Sequence, residues 1–360
     1  MKLGVPKESA SGERRVAMVP DVVRRLAKAG VDVVVEPGAG AGARIPDQAY
    51  LDAGATAGDP WGADVVVKVA APSPEEIGRL RSGAVFIGFL SPLTNPEIAE
   101  SLKSAGVTAF AMESIPRISR AQSMDALSSQ ANVGGYKAVI IAAQEFGRYF
   151  PMLMTAAGTV PPAKVLVLGA GVAGLQAIAT AKRLGAAIQG FDVRAAVKEQ
   201  VESLGAKFVA LDTDFDAEAE GGYARQLTEE EQQQQREKLA DVIARVDIVI
   251  TTAQVPGKRA PLLVTADAVK RMAPGSVIVD MAGDSGGNCE LTKPGETVVE
   301  HDVTIISPMN LPATMPESAS TLYARNIQSL VELMITEEGE LNLNWEDEVI
   351  AKSCVTRSES

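Results

Sequence analysis

Short runs of β-branched residues alternate with amphipathic stretches of helical length along nearly the whole chain. That is the pattern of a parallel sheet with helices on both faces, whose strands are buried on both sides and therefore read as continuous apolar runs. In the first half the runs at 2–5, 31–36, 63–69, 84–89 and 107–112 predict strands. The stretches at 20–29, 47–53, 74–80 and 96–104 predict helices, each opened by a proline or a capping side chain in "PD", "PDQAY", "SPEE" or "NPEI".

The second half repeats the rhythm. Runs at 164–168, 187–191, 207–211, 246–252, 276–281 and 303–307 predict a six-stranded doubly wound sheet. Residues 123–147 read as a long helix interrupted at Gly134 and Gly135, and residues 318–336 as a second one that returns the chain to the first domain. The expected fold is α/β, with two Rossmann-like doubly wound parallel-sheet domains joined by two long helices. Domain 1 takes 1–125 plus 318–360 and domain 2 takes 126–317, with a ligand cleft between them.

One connection breaks the rhythm. Thr228 and Glu231 in "TEEEQQQQREKL" form a capping box that starts a helix running to Arg245. The 16 residues 212–227 before it are long for a loop in a compact sheet, and they carry a Gly221–Gly222 hinge and Tyr223. A solvated acidic loop and a lid over a ligand are equally consistent with that stretch.

Composition narrows the partners. A chain of 360 residues with 46% apolar and 22% charged residues is globular, not disordered. A net charge of −12 disfavours nucleic acid and an anionic membrane surface, so any anion must be held locally. Two cysteines, Cys289 and Cys354, are too few for a disulfide framework and read as structural in a reducing compartment. The N-terminal region has no secretory signal pattern, and no run of about 18 apolar residues is present, so direct membrane insertion is not expected.

The strongest chemical signal is "KVLVLGAGVAGLQAIATAKRLGAAIQGFD". Gly169, Gly171 and Gly174 follow an apolar strand and open a helix, as dinucleotide binding requires. The first glycine makes the turn, the second lets backbone approach a pyrophosphate, and the third lets helix and strand pack closely. Asp192 follows the next strand, where a carboxylate bonds the adenosine ribose and repels a 2′-phosphate, which favours NAD(H); Arg194 beside it pulls the other way.

A second polar stretch is "PRISRAQSMDALSSQ", residues 116–130. Gln122, Asp125 and Ser128 are spaced three and three, so on a helix they share a face, with Arg117 just upstream. Read alone, this fits a capped, solvent-facing helix start as well as a site. Elsewhere the chemistry is sparse. The single histidine, His301, precedes a strand and reads as structural or exposed, which weakens the case for an enzyme that needs a general base near neutral pH. Neither metal-ligand spacing nor a G-x-S-x-G elbow is present.

Together with "GVPKE", "GERRVAMVP", "VEPGAGAGARIPDQAY", "FDVR", "PGSVIVDMAGDSGGNCE" and "STLYARN", these segments resemble the NAD(H)-binding component of proton-translocating nicotinamide nucleotide transhydrogenases over nearly the entire chain. The resemblance implies a dimeric, cytoplasmic component. It would be peripheral on the inner membrane through partner subunits, an NADP(H)-binding component and a membrane proton-channel component. It implies that NADH passes hydride directly to NADP+ on the former. Carried over by motif, Arg117, Gln122, Asp125 and Ser128 lie beside the nicotinamide, with Tyr136 close by. Gly169, Gly171, Val172 and Gly174 match the diphosphate turn, Asp192 and Val193 the adenosine ribose, and Tyr223 a mobile loop over the nucleotide. The related alanine dehydrogenases are the alternative. There Arg15 and Lys68 fall where substrate carboxylate and carbonyl are held and Asp284 near a catalytic acid, but Phe89 stands in place of the catalytic histidine. A third, non-enzymatic reading is an NAD-sensing subunit.

Overall fold

The computed structural model describes residues 1–211, 228–255 and 257–357. The chain forms two compact units, one of Met1–Gln130 together with the segment from Pro312 onward, the other of Ala131–Leu311. Each is a doubly wound parallel sheet covered by helices.

In the first unit six strands, β1 (Lys2–Val5), β2 (Asp32–Val35), β3 (Thr56–Ala57), β4 (Val65–Val67), β5 (Val85–Gly88) and β6 (Thr108–Ala111), pair in the order 3-2-1-4-5-6, all parallel. The helices between them are α1 (Pro20–Lys28), α2 (Asp47–Asp52), α3 (Pro74–Ile77) and α4 (Pro96–Ser104). Proline in the first turn of α1, α3 and α4 presets φ and removes an N–H that would have no partner. Strand β3 was not expected, because its two residues lie exposed at the sheet edge and carry no apolar signal.

The second unit repeats this order. Its strands are β9 (Lys164–Leu168), β10 (Ala187–Phe191), β11 (Lys207–Phe208), β12 (Ile248–Thr251), β13 (Val277–Asp280), β14 (Thr297–Glu300) and β15 (Val303–Ile306). They pair as 11-10-9-12-13-15-14. The sheet has seven strands where six were expected, since β14 is mostly exposed and adds antiparallel to β15. Their turn is His301–Asp302, both left-handed at φ 54° and 60°, which is the backbone of a two-residue hairpin. His301 is thus an exposed turn residue. A further hairpin, β7 (Leu153–Thr155) with β8 (Gly158–Val160), is also largely exposed and escaped the sequence pattern.

Period-two alternation divides the second core. Val165 and Val167 face one side with Ile248, Ile250, Val277 and Val279, packed under α5 (Ala126–Glu145) and α6 (Val172–Arg183). Leu166, Leu168, Val249 and Ile278 face the other side, under α8 (Glu229–Ile243), whose Thr228–Glu231 capping box has both bonds in place. Between α6 and α8 lies α7 (Lys198–Ser203), and after α8 comes α9 (Ala266–Lys270). Residues 212–227, with the expected lid and its Tyr223, fall outside the described residues.

The two long helices differ from expectation in detail. Residues Ser119–Met124 form a 3-10 turn, α5 starts at Ala126, and it continues through Gly134 and Gly135 without a break. The glycines are there for packing: a Cβ on Gly135 would lie 2.1 Å from the Ala173 carbonyl oxygen in the first turn of α6. The second helix, α10, spans Pro316–Glu332, and α11 (Glu348–Ser353) follows it. After α11, Val355 bonds the Ala109 carbonyl on β6.

Gly135→Ala is expected to lower stability by about 1–3 kcal/mol, because the obstacle is backbone and cannot rotate away. Denaturant titration checks this; an unchanged midpoint would mean that α5 and α6 have room to part.

Candidate functional site

The turn after β9 has the geometry its three glycines predict. Gly169 has φ 97°, a conformation that favours glycine, and a Cβ there would come 2.7 Å from Thr252 Oγ1. A Cβ on Gly174 would stand 1.8 Å from the Gly169 carbonyl oxygen, so only glycine lets α6 sit this close to the turn. Gly171 is different. Its φ is −76° and a Cβ would meet no atom within 4 Å, so the second glycine faces open space. Gly171 is the N-cap of α6 and offers no side-chain bond, which leaves the first N–H groups of the helix and its positive dipole end pointing outward beside the exposed Val172.

Asp192 stands at the end of β10. Its Oδ2 accepts from the Ala170 amide at 2.7 Å, and its two oxygens form a fork with Arg194, Nε to Oδ1 and Nη2 to Oδ2 both at 2.8 Å. Val193 packs at the margin of the adjacent core. All of Gly169, Gly171, Val172, Gly174, Asp192 and Val193 therefore gather at the carboxyl end of β9 and β10, next to the point where strand order reverses toward β12.

A residue the sequence reading missed supports that end of the sheet. Asp280, fully buried at the end of β13, accepts from Thr251 Oγ1, Thr292 Oγ1 and the amides of Ala282, Asn288 and Cys289 at 2.6–3.0 Å. Five neutral donors hold the carboxylate and fold residues 282–289 around it. Asn288 extends the grip to both backbone groups of Ala253. Asp284 lies exposed on the same loop and accepts from Gln254 Nε2 at 3.2 Å. Burial pushes the Cys289 thiol up to about 11, so it stays protonated and inert.

In the first unit Arg117 and Gln122 are exposed, and Gln122 lies in the 3-10 turn. Asp125 leaves the helical region at ψ 85° and acts as the N-cap of α5: Oδ1 accepts the Ser128 amide at 2.8 Å and Oδ2 the Ser128 hydroxyl at 2.6 Å. Gln122, Asp125 and Ser128 consequently do not share the face of one helix, because the chain changes conformation between them. Tyr136, on α5 in the second unit, is 39% exposed.

The first unit also buries charge at its own switch point, between β1 and β4. Lys68 is fully buried, and its Nζ lies 2.6 Å from Glu76 Oε2 and 3.8 Å from Glu8 Oε2. Burial would raise Glu76, yet Lys68, the Ser73 amide and the Ser9 hydroxyl together hold it below its ordinary value. Arg15 is 8% exposed; its Nε and Nη2 fork onto Glu13 at 2.8 and 2.6 Å, and its Nη1 donates to Gln130 Oε1 at 2.9 Å. Tyr323 donates to the Lys68 carbonyl at 2.8 Å and packs on Phe89 with ring centroids 5.2 Å apart. Among the described residues no group of His, Cys, Asp and Glu could hold a metal ion, and no helix is long and apolar enough to cross a membrane.

Comparison with known proteins places this arrangement. Residues 4–134 match the family model "Alanine dehydrogenase/PNT, N-terminal domain", and residues 138–360 match "Alanine dehydrogenase/PNT, C-terminal domain". The chain belongs to the alanine dehydrogenase/PNT family. It is 50% identical over 370 residues to the first portion of the NAD(P) transhydrogenase alpha subunit of Rhodospirillum rubrum, a separate chain there, covering 99% of this chain and 96% of that one. The structure of a transhydrogenase from Sinorhizobium meliloti matches with a TM-score of 0.90 at 49% identity, covering 98% of both chains. The alanine dehydrogenase of Bacillus subtilis is 33% identical over 351 residues, 94% of this chain and 86% of that one.

In this member of the alanine dehydrogenase/PNT family, Glu8 shows what the buried cluster costs. Burial pushes its carboxyl up to about 7, against the pull of Lys68 and of the Val69 and Ala70 amides that bond it. A carboxyl raised in the fold adds stability that is present below its unfolded pKa and is lost as pH rises through the folded one. Between pH 4.5 and about 7 this group alone should cost on the order of 3 kcal/mol. Glu8→Gln is expected to flatten that part of the stability profile, measured by urea unfolding from pH 4.5 to 8. Identical slopes in both proteins would mean that Glu8 is ionised in the fold throughout.

Proposed function

We propose that this chain is the NAD(H)-binding subunit of a proton-translocating transhydrogenase, active only with its partner components. It passes hydride directly between NADH and NADP+ held on a separate NADP(H)-binding component, and a membrane proton-channel component completes the assembly. On this reading the chain is a homodimer, cytoplasmic, and peripheral on the inner membrane through its partner subunits. The strong likeness to two transhydrogenases supports it.

One observation carries the choice within the family: the pairing of the buried cations. An amino-acid oxidoreductase must offer a cation to the substrate carboxylate and a base to the group it deprotonates. Here Lys68 is paired with Glu76 and Arg15 with Glu13, and position 89 is a phenylalanine packed on Tyr323. Hydride transfer to a second nucleotide needs neither cation nor base.

The turn after β9 fits a dinucleotide, since Gly171 leaves open the space a side chain would fill and α6 starts without a side-chain cap. Gly169, Gly171, Val172 and Gly174 would hold the diphosphate, and Asp192 and Val193 the adenosine ribose. Arg194, which could otherwise accept a 2′-phosphate, is forked onto Asp192, and this favours NAD(H) over NADP(H). Arg117, Gln122, Asp125, Ser128 and Tyr136 would orient the nicotinamide ring and its carboxamide, and Tyr223 would help to cover the nucleotide. The bound dinucleotide supplies the hydride. The side chains keep the ring in reach of a second ring, about 3–3.5 Å away, on the partner.

Two measurements test this. Mixed with a purified NADP(H)-binding component and NADP(H), the chain is expected to exchange hydride between NADH and an NAD analogue, and by itself it should not oxidise NADH with pyruvate plus ammonium. Turnover in the second assay without a partner would overturn the proposal. Separately, Gly171→Ala should keep the wild-type thermal midpoint, because a Cβ meets nothing, while weakening NADH binding by about tenfold or more, a loss of ~1.4 kcal/mol. A variant that binds NADH as tightly as wild type would place the diphosphate elsewhere.

A further inference from the structure

The loop that carries Gln122 is held by a line of buried side chains running back to Arg15. Asn326, on α10, is 7% exposed. Its Nδ2 donates to the Ser123 carbonyl at 2.8 Å and its Oδ1 accepts from Ser129 Oγ at 2.7 Å. Both ends of the amide are thereby satisfied, and its orientation is fixed because a carbonyl can only accept. Gln130 Nε2 donates to Ser129 Oγ at 3.2 Å and to the Ala319 carbonyl at 3.1 Å, while Gln130 Oε1 accepts from Arg15. Every member lies in the first unit.

The point of attachment matters. Ser123 follows Gln122 directly and sits in the 3-10 turn, whose own bonds are of poorer geometry than those of an α-helix. Gln122 and Ser123 are exposed, with buried Ala121 and Met124 on either side. A buried donor on the Ser123 carbonyl fixes the peptide next to Gln122. The Ser129 contact fixes the first turn of α5, which Asp125 caps. A second tether, Arg120 forked onto Asp347 at 2.9 and 2.8 Å, lies closer to water, with Arg120 about half exposed, and is the weaker hold.

We propose that Asn326 is a positioning residue for Gln122 and Asp125, acting through Ser123 and Ser129, with Gln130 and Arg15 stiffening it from behind. The proposal rests on the reading that Gln122 orients the nicotinamide ring. It also gives Arg15 a task unrelated to a substrate carboxylate.

The test uses the full chain with Asn326→Ala and, in case that variant fails to fold, the milder Ser129→Ala. Hydrogen exchange of the amides at 119–129 is expected to quicken at least tenfold in either variant, with the amides of β1, β4 and β5 changed by less than twofold. With the NADP(H)-binding component, hydride exchange should slow at least tenfold while the NADH dissociation constant stays within twofold. On a Gln122→Asn background the same substitution should add little further loss. Unchanged exchange at 119–129 overturns the proposal, as do equal losses in binding and rate or losses that multiply with those of Gln122→Asn. If the wild-type chain transfers no hydride with its partner, the functional reading fails, and the amide-exchange arm still decides whether Asn326 holds the loop.

Discussion

A parallel sheet covered by helices on both faces leaves its polar chemistry one place to go, the carboxyl ends of its strands. Both units obey this constraint with the same strand order, and they use it differently. In the second unit the end of the sheet is kept open: Gly171 meets nothing, α6 starts uncapped, and Asp280 gathers five donors to hold the neighbouring loop. In the first unit the end is filled by Glu8, Lys68 and Glu76, with Glu13 and Arg15 close enough to be felt.

Filling a crevice with ion pairs is not a cheap way to gain stability. Two charges taken out of water lose about as much in desolvation as they recover from each other, and removing one partner is far worse than never having had the pair. The arrangement makes sense as a constraint on geometry. Glu76 reaches Lys68 only because Ser73 caps α3 and turns that carboxylate inward, and Tyr323 locks the Lys68 carbonyl from α10. Helix, strand end and returning segment are thereby fixed to one another within the first unit.

What could be read from the sequence was local. The glycine turn after β9 was legible because each glycine answers a steric demand within a few residues, and the Thr228–Glu231 box because its two bonds span three. Gly134 and Gly135 misled for the complementary reason. Glycine costs a helix about 1 kcal/mol relative to alanine, but at Gly135 the close approach of Ala173 outweighs that, and no local pattern announces it. The edge strands β3 and β14 and the β7–β8 hairpin are too exposed to carry an apolar signature. Within the candidate loop, the polar spacing suggested one helical face, whereas the capping demand of Asp125 bends the chain there. Contacts such as Asn326 to Ser123, 203 residues apart, leave no trace in spacing at all.

The buried thiol of Cys289 has a consequence of its own. With its proton retained up to about pH 11, this sulfur is a poor nucleophile toward peroxides, disulfides and alkylating agents at any physiological pH. Oxidative stress and thiol reagents therefore have little purchase on the loop it anchors beside Asp280. A fold built around a dinucleotide turn keeps that part of its own sulfur chemistry insulated from the redox state of its surroundings.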